Sequence, residues 1–427
     1  MSKRTVKGTQ IGPASLIEYG PAKIDLKPKE IEGLLEELQE YHAIFSPLFK
    51  RVEQGQWAHL YLQGQLLDIE RKSVEPMAQR IVGGNVRNMQ QFIGAGAWED
   101  EELLEEHEKQ VRRTLGSSGG VLQVDGSDFP KQGKESVGVM RQYCGALGKV
   151  ANCQSGVFIG YGNKNGYTLL NRRLYLPKLW FSDEYKERRE RCGIPKGAKF
   201  QTHAELAWAM IENVATRGVL PFQWVTMDEG YGANPWLLDK VAGLGKYYLA
   251  EVPVSTPVWA RRPQTVTVTV RRKGQWVTRT RLAKGQPKPG TGRDLAAKIP
   301  SWKTRTIKEG SKGPLVAEFA AVRAVAVRHK LPGPAVWVVF RRTLGPQPEL
   351  KIYLSNAPAT TSLGSLVQMT GWRWPIETMF EDGKSELGMD HYETRSWRGW
   401  HHHMTMTILA HHFLVRLRRR LKKKVDP

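Results

Sequence analysis

Apolar residues in the first part of the chain recur at the spacing of helices. Ile31, Leu34, Leu35 and Leu38 follow an i, i+3, i+4, i+7 pattern, which places them on one face of a helix. A glycine-serine joint at 116–120 ends this pattern. Further amphipathic stretches lie around 57–70, 74–82 and 99–114. The pattern predicts a helical N-terminal domain over residues 1–118.

Beyond the joint, the spacing becomes that of strands separated by helices. Short apolar runs predict strands at 121–129, 152–163, 167–176, 222–232 and 246–254. Thr202, with Glu205 three residues later, forms a capping box that predicts a helix over 202–217. Asn234 before a proline predicts a second helix start. Three strands in a meander, then helix, strand, helix and strand, indicate an α/β core with a mixed five-stranded sheet over 119–254.

A β-rich segment interrupts this core. The strictly alternating run TVTVTV at 265–270 precedes RRKGQ and WVTRTR, which predicts a hairpin. Two further strands are predicted at 336–340 and 350–355. We therefore expect a mostly β insertion over residues 255–355 and a return to the core over 356–427. Helices of this last part are predicted at about 361–369, 373–387 and 399–422.

The positive charge of the chain is concentrated in two segments. The chain has 64 Lys and Arg against 42 Asp and Glu, a net charge of +22. Residues 255–315 contain fifteen basic residues and two acids, and residues 416–424 contain seven basic residues and no acid. Three tryptophans are interleaved with the first set, which suits a surface that holds phosphates and stacks on bases. The tail is equally compatible with a solvated helix end.

This charge predicts a polyanionic partner, either a nucleic acid or an anionic membrane. No apolar run approaches the roughly 20 residues of a membrane span. The start, MSKRTVKGTQ, lacks the apolar stretch of a signal peptide. Nucleic acid is therefore the favoured partner. Cys144, Cys153 and Cys192 include no CxxC pair, and we expect them to be small buried or half-buried thiols in a reducing cytosol.

Two aspartates stand at the ends of predicted core strands. Asp125 ends the apolar run LQVD, and Asp228 ends WVTMD. Burying a lone carboxylate is costly, so an acid at such a position is uncommon without a reason. Either aspartate alone is best explained as an ordinary turn residue. Together, at corresponding places of an α/β core, they favour a site for divalent metal, which prefers hard oxygen ligands.

A third acid lies on the predicted helix in WRWPIETMFEDGKSELG. Arg373, Glu377 and Lys384 are spaced by four and seven residues, so they share one helix face. A carboxylate between two cations suits a metal ligand beside bound phosphates. By spacing alone, a surface salt-bridge ladder explains the three residues better.

These blocks together resemble the DDE transposases of insertion sequences. The branch concerned has a Y-x2-R-x3-E-x6-K signature, which Arg373, Glu377 and Lys384 match, while Thr370 replaces its tyrosine. The stretch 125–154 resembles the first-acid block, D-x-T/S-G-F-x-K-x-G, with an aspartate at position 128 in place of the usual glycine. Residues 225–232 resemble the second-acid block, and 387–414 resemble the C-terminal helices of the family. The likeness is weakest over 255–330.

The resemblance implies an RNase H-like core in which Asp125, Asp228 and Glu377 are the catalytic acids and hold two Mg²⁺ or Mn²⁺ ions. It implies cleavage of transposon ends by hydrolysis, followed by transfer of the 3′-OH into target DNA. The partners would be terminal inverted repeats and target DNA, bound by a homodimer in the bacterial cytoplasm and nucleoid. The residues expected to contact DNA are Arg373, Lys384, Lys131, Arg271, Arg272, Lys273 and Arg279.

Several alternatives remain open at this point. Glu381 is one helical turn from Glu377 and is the most credible competitor, whereas Asp128 and Glu229 lie at less suitable strand positions. The N-terminal domain suits end recognition or simple packing and dimerisation. The histidines at 401–403, 411 and 412 favour core packing or phosphate contacts over zinc. A non-catalytic DNA-binding descendant and a general nuclease are the alternative functions.

Overall fold

The helical spacing of the N-terminal region is reproduced in the computed structural model, which describes residues 33–425 except 274 and 311–312. Side chains at 272, 308–310, 313 and 422–425 also lie outside this description. The described N-terminal helices are α1 (Leu34–Ala43), α2 (Val52–Leu66), α3 (Val74–Arg80), α4 (Val86–Gly94) and α5 (Asp100–Leu115).

The inward face of α1 differs from the predicted one. Ile31 lies outside the described residues, and Leu35 is exposed, whereas Leu38 and Tyr41 are buried. The Tyr41 hydroxyl donates to the Leu409 carbonyl at 3.1 Å. Because burying the large Tyr41 ring with its hydroxyl hydrogen-bonded is favourable, the helix is oriented with Tyr41 inward and Leu35 outward.

The N-terminal helices share their core with the last helix of the chain. Tyr61, Phe92 and Trp98 pack in one cluster with Leu409 and Phe413. These N-terminal helices therefore bury their apolar faces against the C-terminal part, which lies about 300 residues away in sequence.

One large mixed sheet runs through the molecule. Its strand order is β10-β7-β12-β13-β14-β6-β5-β1-β3-β2, with β4 paired to β3 and β11 to β12. The strands are β1 (Val121–Pro130), β2 (Met140–Cys144), β3 (Lys149–Asn163), β4 (Gly166–Tyr175), β5 (Trp224–Met227), β6 (Tyr247–Val252), β7 (Pro257–Trp259), β8 (Thr265–Arg272), β9 (Gln275–Leu282), β10 (Gly290–Thr291), β11 (Lys303–Gly310), β12 (Gly313–Arg328), β13 (Leu331–Thr343) and β14 (Leu350–Ser355).

The centre of the sheet has the predicted order. Strands β1, β3 and β4 form an antiparallel meander, and β5 and β6 then add in parallel on the other side of β1. The predicted capping box of Thr202 and Glu205 is present at the start of the helix His203–Arg217. The intervening helices are α6 (Lys186–Arg191), α7 (His203–Arg217), α8 (Glu229–Gly232) and α9 (Pro235–Gly243).

Strand β5 is shorter than predicted. The sequence pattern predicted a strand over 222–232, but the strand ends at Met227 and the short helix α8 follows. The cause is Asp228, whose side chain accepts a hydrogen bond from the Tyr231 amide at 3.2 Å and so caps the helix. This cap turns the chain away from the sheet directly after the aspartate.

The strands of residues 255–355 extend the same sheet. Strand β14 pairs antiparallel with β6, and β13 and β12 follow outward. Strands β2, β7, β10, β11 and β12 were not predicted; five of the sixteen residues of β12 are alanines, which weakens its apolar signal. The predicted hairpin is confirmed as β8–β9, which forms a separate two-stranded sheet.

The two faces of β1 meet different helices. Leu122 and Val124 pack with residues of α7 and α9, such as Ile211. The opposite face is covered by the last helices: Phe158, which pairs with Asp125, contacts Phe380 at 5.3 Å between ring centroids. These helices are α11 (Leu363–Gly371), α12 (Pro375–Leu387) and α13 (Trp397–Val425), after the short α10 (Gly292–Ala296). Asp125 therefore faces α12 and α13.

Helix α13 is long, and its buried part contains several polar side chains. Its five histidines are buried and make hydrogen bonds within the protein, so packing is their role. None of the helices in the described ranges combines the length and apolarity that crossing a bilayer requires. All three cysteines are buried and unpaired, as predicted.

His403 shows how these histidines are accommodated. Its Nδ1 lies 2.8 Å from the Tyr61 hydroxyl and its Nε2 lies 3.2 Å from the Met389 carbonyl. A neutral ring that donates from Nε2 and accepts at Nδ1 satisfies both partners. Burial, more than any other cause, lowers the pKa of His403 to about 3.

Replacing His403 with Gln should flatten the pH dependence of folding stability. The folded pKa lies below the ordinary value of about 6.5 in the unfolded chain. The stability from such a group is complete above the unfolded pKa and is lost as pH falls below it. Between about pH 7.5 and pH 5.5, wild type should lose about 1.4 kcal/mol more free energy of unfolding than His403→Gln. Urea titrations at the two pH values measure this difference.

The matched control is His329→Asn. His329 is exposed in a turn with positive φ, a backbone conformation that Asn tolerates. This variant should follow the wild-type pH dependence. Identical pH dependence in His403→Gln and wild type would show that His403 is not held neutral.

Candidate active site

Strand register places Asp125 and Asp228 side by side. In the parallel pairing of β1 and β5, Val124 is opposite Met227, so the two aspartates are the next residues on neighbouring strands. Adjacent strands lie about 4.8 Å apart, and paired residues point to the same face. Two carboxylates thus meet where the parallel pairing ends, with Asp125 in the middle of β1 and Asp228 directly after β5.

Both aspartates are half-buried, and their charges oppose each other. Burial and then the charge of Asp228 raise the pKa of Asp125 to about 7, although the Gly126 amide donates to its Oδ1 at 2.7 Å. Burial also raises the pKa of Asp228, against the hydrogen bond from the Tyr231 amide. A site that penalises negative charge in this way attracts a cation.

Helix α12 brings Glu377 to the same place. The helix begins at Pro375, which suits the first helical position, and ends before Gly388, whose φ of 65° closes the helix. It lies directly on the sheet at Gly160, where a Cβ would come within 2.7 Å of the Met379 sulfur. Glu377, in the first turn, is among the charges that raise the pKa of Asp125.

Arg373 joins the acids. Its Nη2 donates to Glu377 Oε1 at 2.6 Å, and its Nε lies 3.4 Å from Glu251 Oε2. Burial alone would lower the pKa of Arg373, but the charges of Glu377, Glu251 and Asp125 outweigh burial and raise it. The guanidinium is therefore the counter-charge of the acid cluster.

Glu251 is a member of this cluster that the sequence reasoning missed. It lies in β6, where Ala250 pairs with Met227, so Glu251 is the neighbour of Asp228 just as Asp228 is the neighbour of Asp125. The available signal was a lone acid in the apolar strand YYLAEV, the same signal that singled out Asp125.

The competing acids lie elsewhere. Asp128, three residues from Asp125, accepts a hydrogen bond from the Gly145 amide at 2.6 Å and faces the other side of the strand. Glu229 is exposed at the start of α8. Glu381 is exposed one turn beyond Glu377, and its charge acts on Tyr167.

Lys384 and Lys131, two of the residues predicted to contact DNA, lie on the same side of β1 as Asp125. The Lys384 ammonium lies 5.5 Å from the centre of the Phe129 ring. The Lys131 ammonium lies 3.5 Å from the centre of the Tyr392 ring, and burial lowers its pKa to about 8. Lys131 lines a cleft of about 720 Å³. With Arg373, these lysines form a line of cations past the acids.

The remaining predicted contacts lie on the hairpin. Arg271, Lys273 and Arg279 are exposed on β8–β9, away from the strands and helix that carry the acids. Arg272 is the last residue of β8, but its side chain lies outside the described part of the structure.

The donor set fits a hard divalent cation in its chemistry. Carboxylate oxygens are the ligands that Mg²⁺ and Mn²⁺ prefer, and the Asp125 and Asp228 carboxylates are half-buried. Within the described residues, no three His, Cys, Asp or Glu side chains are already arranged to hold an ion. Glu377 bonds to Arg373 through Oε1, so the guanidinium already neutralises part of the charge that a cation would use.

Comparisons with known proteins bear on this site. The family profile described as DDE superfamily endonuclease matches residues 44–314, which include Asp125 and Asp228 and end before Glu377. A protein of Microchaete diplosiphon described as a probable transposase for insertion sequence element IS701 is 27% identical over 210 residues, 49% of this chain and 51% of that protein. The chain thus matches about half the length of this curated relative.

Among solved structures, the NurA nuclease of Sulfolobus solfataricus is similar over 66% of this chain and 86% of that chain, at 9% identity. Its TM-score of 0.28 is too low to establish a common fold. The family profile covers more than half of the chain, and the transposase similarity agrees with the resemblance seen in the sequence. The chain therefore belongs to the DDE superfamily of endonucleases.

Proposed function

We propose that the protein is the transposase of a bacterial insertion sequence, which cleaves the transposon ends by hydrolysis and transfers the 3′-OH into target DNA. The observation that carries this proposal is a pair of half-buried carboxylates, Asp125 in the middle of β1 and Asp228 directly after β5, which adjoin where the parallel pairing of these strands ends, under the helix that carries Glu377. In an endonuclease family, such a pair is suited to bind metal beside a phosphodiester.

Asp125, Asp228 and Glu377 would hold two Mg²⁺ or Mn²⁺ ions. When bound, such ions lower the pKa of the attacking water or 3′-OH and take up charge on the leaving oxygen. The order of the five central strands, three antiparallel and two parallel, supports an RNase H-like core.

The cations beside the acids have a separate task. Arg373, Lys384 and Lys131 lie along the face of β1 that carries Asp125, where they would bind phosphates on either side of the scissile bond. Their position would fix the DNA strand relative to the carboxylates. Catalysis of this kind gains much of its rate from such positioning.

The hairpin β8–β9 would bind DNA at a distance from the cut. It is exposed on both faces, and Arg271, Lys273 and Arg279 belong to the strongly basic segment. An isolated two-stranded hairpin is marginal in water, so contact with a polyanion would also stabilise it. We further propose a division into residues 1–118, 119–254, 255–355 and 356–427, with the first contributing to end recognition and with a homodimer assembled on the DNA.

Changing Glu377 to Gln should abolish cleavage. The change keeps size and hydrogen bonding but removes a charged metal ligand, so we expect a loss of at least about 100-fold with Mg²⁺. The substrate is DNA from the flanks of the gene, where terminal inverted repeats are expected. Affinity for this DNA should change little, because cations provide it.

Glu381→Gln is the matched control, since Glu381 is the same residue type one turn along α12 and should retain activity. Full activity in Glu377→Gln would show that Glu377 is not the third catalytic acid. Equal cutting of unrelated DNA by wild type would favour a general nuclease. Absence of metal-dependent cutting in wild type would favour a DNA-binding descendant.

Neutralising Arg271 and Arg279 together should weaken the salt dependence of DNA binding. Each phosphate contact contributes about −0.9 to the slope of log affinity against log salt, so the slope of the double alanine variant should flatten by up to about 1.8. Fluorescence anisotropy across a salt series measures the slope.

A double change at Lys196 and Lys199 provides the control. Both lysines are exposed in the loop before α7, which packs on the face of the sheet opposite Asp125. The same loss of charge there should leave the slope near wild type. Equal slopes in the hairpin variant and wild type would show that Arg271 and Arg279 of the hairpin do not bind DNA phosphates.

A further inference from the structure

Both carboxylate oxygens of Glu251 have a cationic partner. Its Oε1 accepts from the Lys351 ammonium at 2.9 Å, and its Oε2 lies 3.4 Å from Arg373 Nε. Only 8% of Glu251 is exposed, so this additional acid is buried beside Asp228. A buried carboxylate costs several kcal/mol unless it is paired, and both of its oxygens are paired here.

Arg373 is the group through which Glu251 reaches Glu377. One guanidinium holds both glutamates: Nε faces Glu251 and Nη2 bonds to Glu377. The Glu251 side is enclosed, whereas the Glu377 side chain is 45% exposed. The arginine is therefore anchored at Glu251, and its bond to Glu377 is the one that can open.

This asymmetry bears on any cation that binds the site. The Arg373 guanidinium neutralises part of the Glu377 charge that a metal ion would use, so the arginine competes with the ion for this carboxylate. Without Glu251, the guanidinium would be free to move toward Glu377 and the aspartates. Residues that orient metal ligands through such outer contacts change metal affinity by about 10- to 100-fold when they are removed.

We propose that Glu251 is a positioning residue, which anchors Arg373 so that Glu377 can leave the arginine and bind the divalent cation. The inference rests on the proposed metal site at Asp125, Asp228 and Glu377. Glu251 need not touch the ion; it acts through Arg373. The alternative is that the Lys351–Glu251–Arg373 pairs only stabilise the sheet.

Direct titration with Mn²⁺, followed by electron paramagnetic resonance of the free ion, tests the proposal on the full chain without DNA. Glu251→Gln should weaken Mn²⁺ binding by about 10-fold or more. Thermal unfolding of the same samples, measured without metal, reports any structural effect separately. Loss of thermal stability with unchanged Mn²⁺ affinity would overturn the proposal in favour of a structural role.

Glu318→Gln is the matched control. Glu318 pairs with Arg342 at 2.6 Å between β12 and β13 of the same sheet, outside the acid cluster. Its change should leave Mn²⁺ affinity at the wild-type value. If Glu251→Gln does not fold, Glu251→Asp retains the charge on a shorter side chain, and an affinity between wild type and a ten-fold loss is then expected; wild-type affinity would overturn the proposal.

A double-mutant cycle with Arg373→Met identifies the route of the effect. In the Arg373→Met background, a further Glu251→Gln change should reduce Mn²⁺ affinity much less than it does in wild type. An undiminished effect would show that Glu251 acts on the ion directly, contrary to the proposal.

Asp125→Asn separates this inference from the proposed function. If Asp125→Asn leaves Mn²⁺ binding unchanged, the metal site itself is wrong, and both proposals fail. If Asp125→Asn abolishes binding and Glu251→Gln leaves it intact, the metal site stands and only the role of Glu251 is rejected.

Discussion

The parallel pairing of β1 with β5 is the constraint on which the site depends. It sets Asp125 and Asp228 next to each other where the paired segment ends, and burial and mutual repulsion raise the pKa of Asp125 to about 7. A fold can keep such a pair only if positive charge lies nearby. Arg373 meets that requirement within the protein, and its own anchorage by Glu251 extends the charge network to a third strand.

The position of α12 follows from contacts on both of its sides. On the sheet side, Gly160 leaves room for Met379, so the helix lies close enough to bring Glu377 to the aspartates. At its far end, the Lys72 ammonium donates to the Glu386 carbonyl, and the Gln65 side-chain amide donates to the Leu387 carbonyl at 3.5 Å. The N-terminal helices thus form part of the scaffold of the site, which explains why they share a core with the last helix.

The basic residues of the hairpin and those of the C-terminal tail differ in their surroundings. Strands β7 and β10–β14 continue the central sheet, while the hairpin β8–β9 stands apart with its cations exposed. In the C-terminal tail, by contrast, Arg418 pairs with Asp382 at 2.7 Å and Arg420 with Glu37 at 3.1 Å. Part of the tail charge is therefore neutralised within the protein.

Local chemistry let the sequence alone predict much of this protein. Periodicity gave the central strand order, the Thr202 cap gave a helix start, and isolated acids in apolar strands pointed to Asp125 and Asp228. Spacing could not separate Glu377 from a surface ladder or reveal Glu251, because side chains far apart in sequence meet only through strand register and helix packing. The shorter β5, the inward face of α1 and the continuation of the sheet past β6 also depended on tertiary contacts. Each arises where a long-range partner outweighs the local apolar pattern.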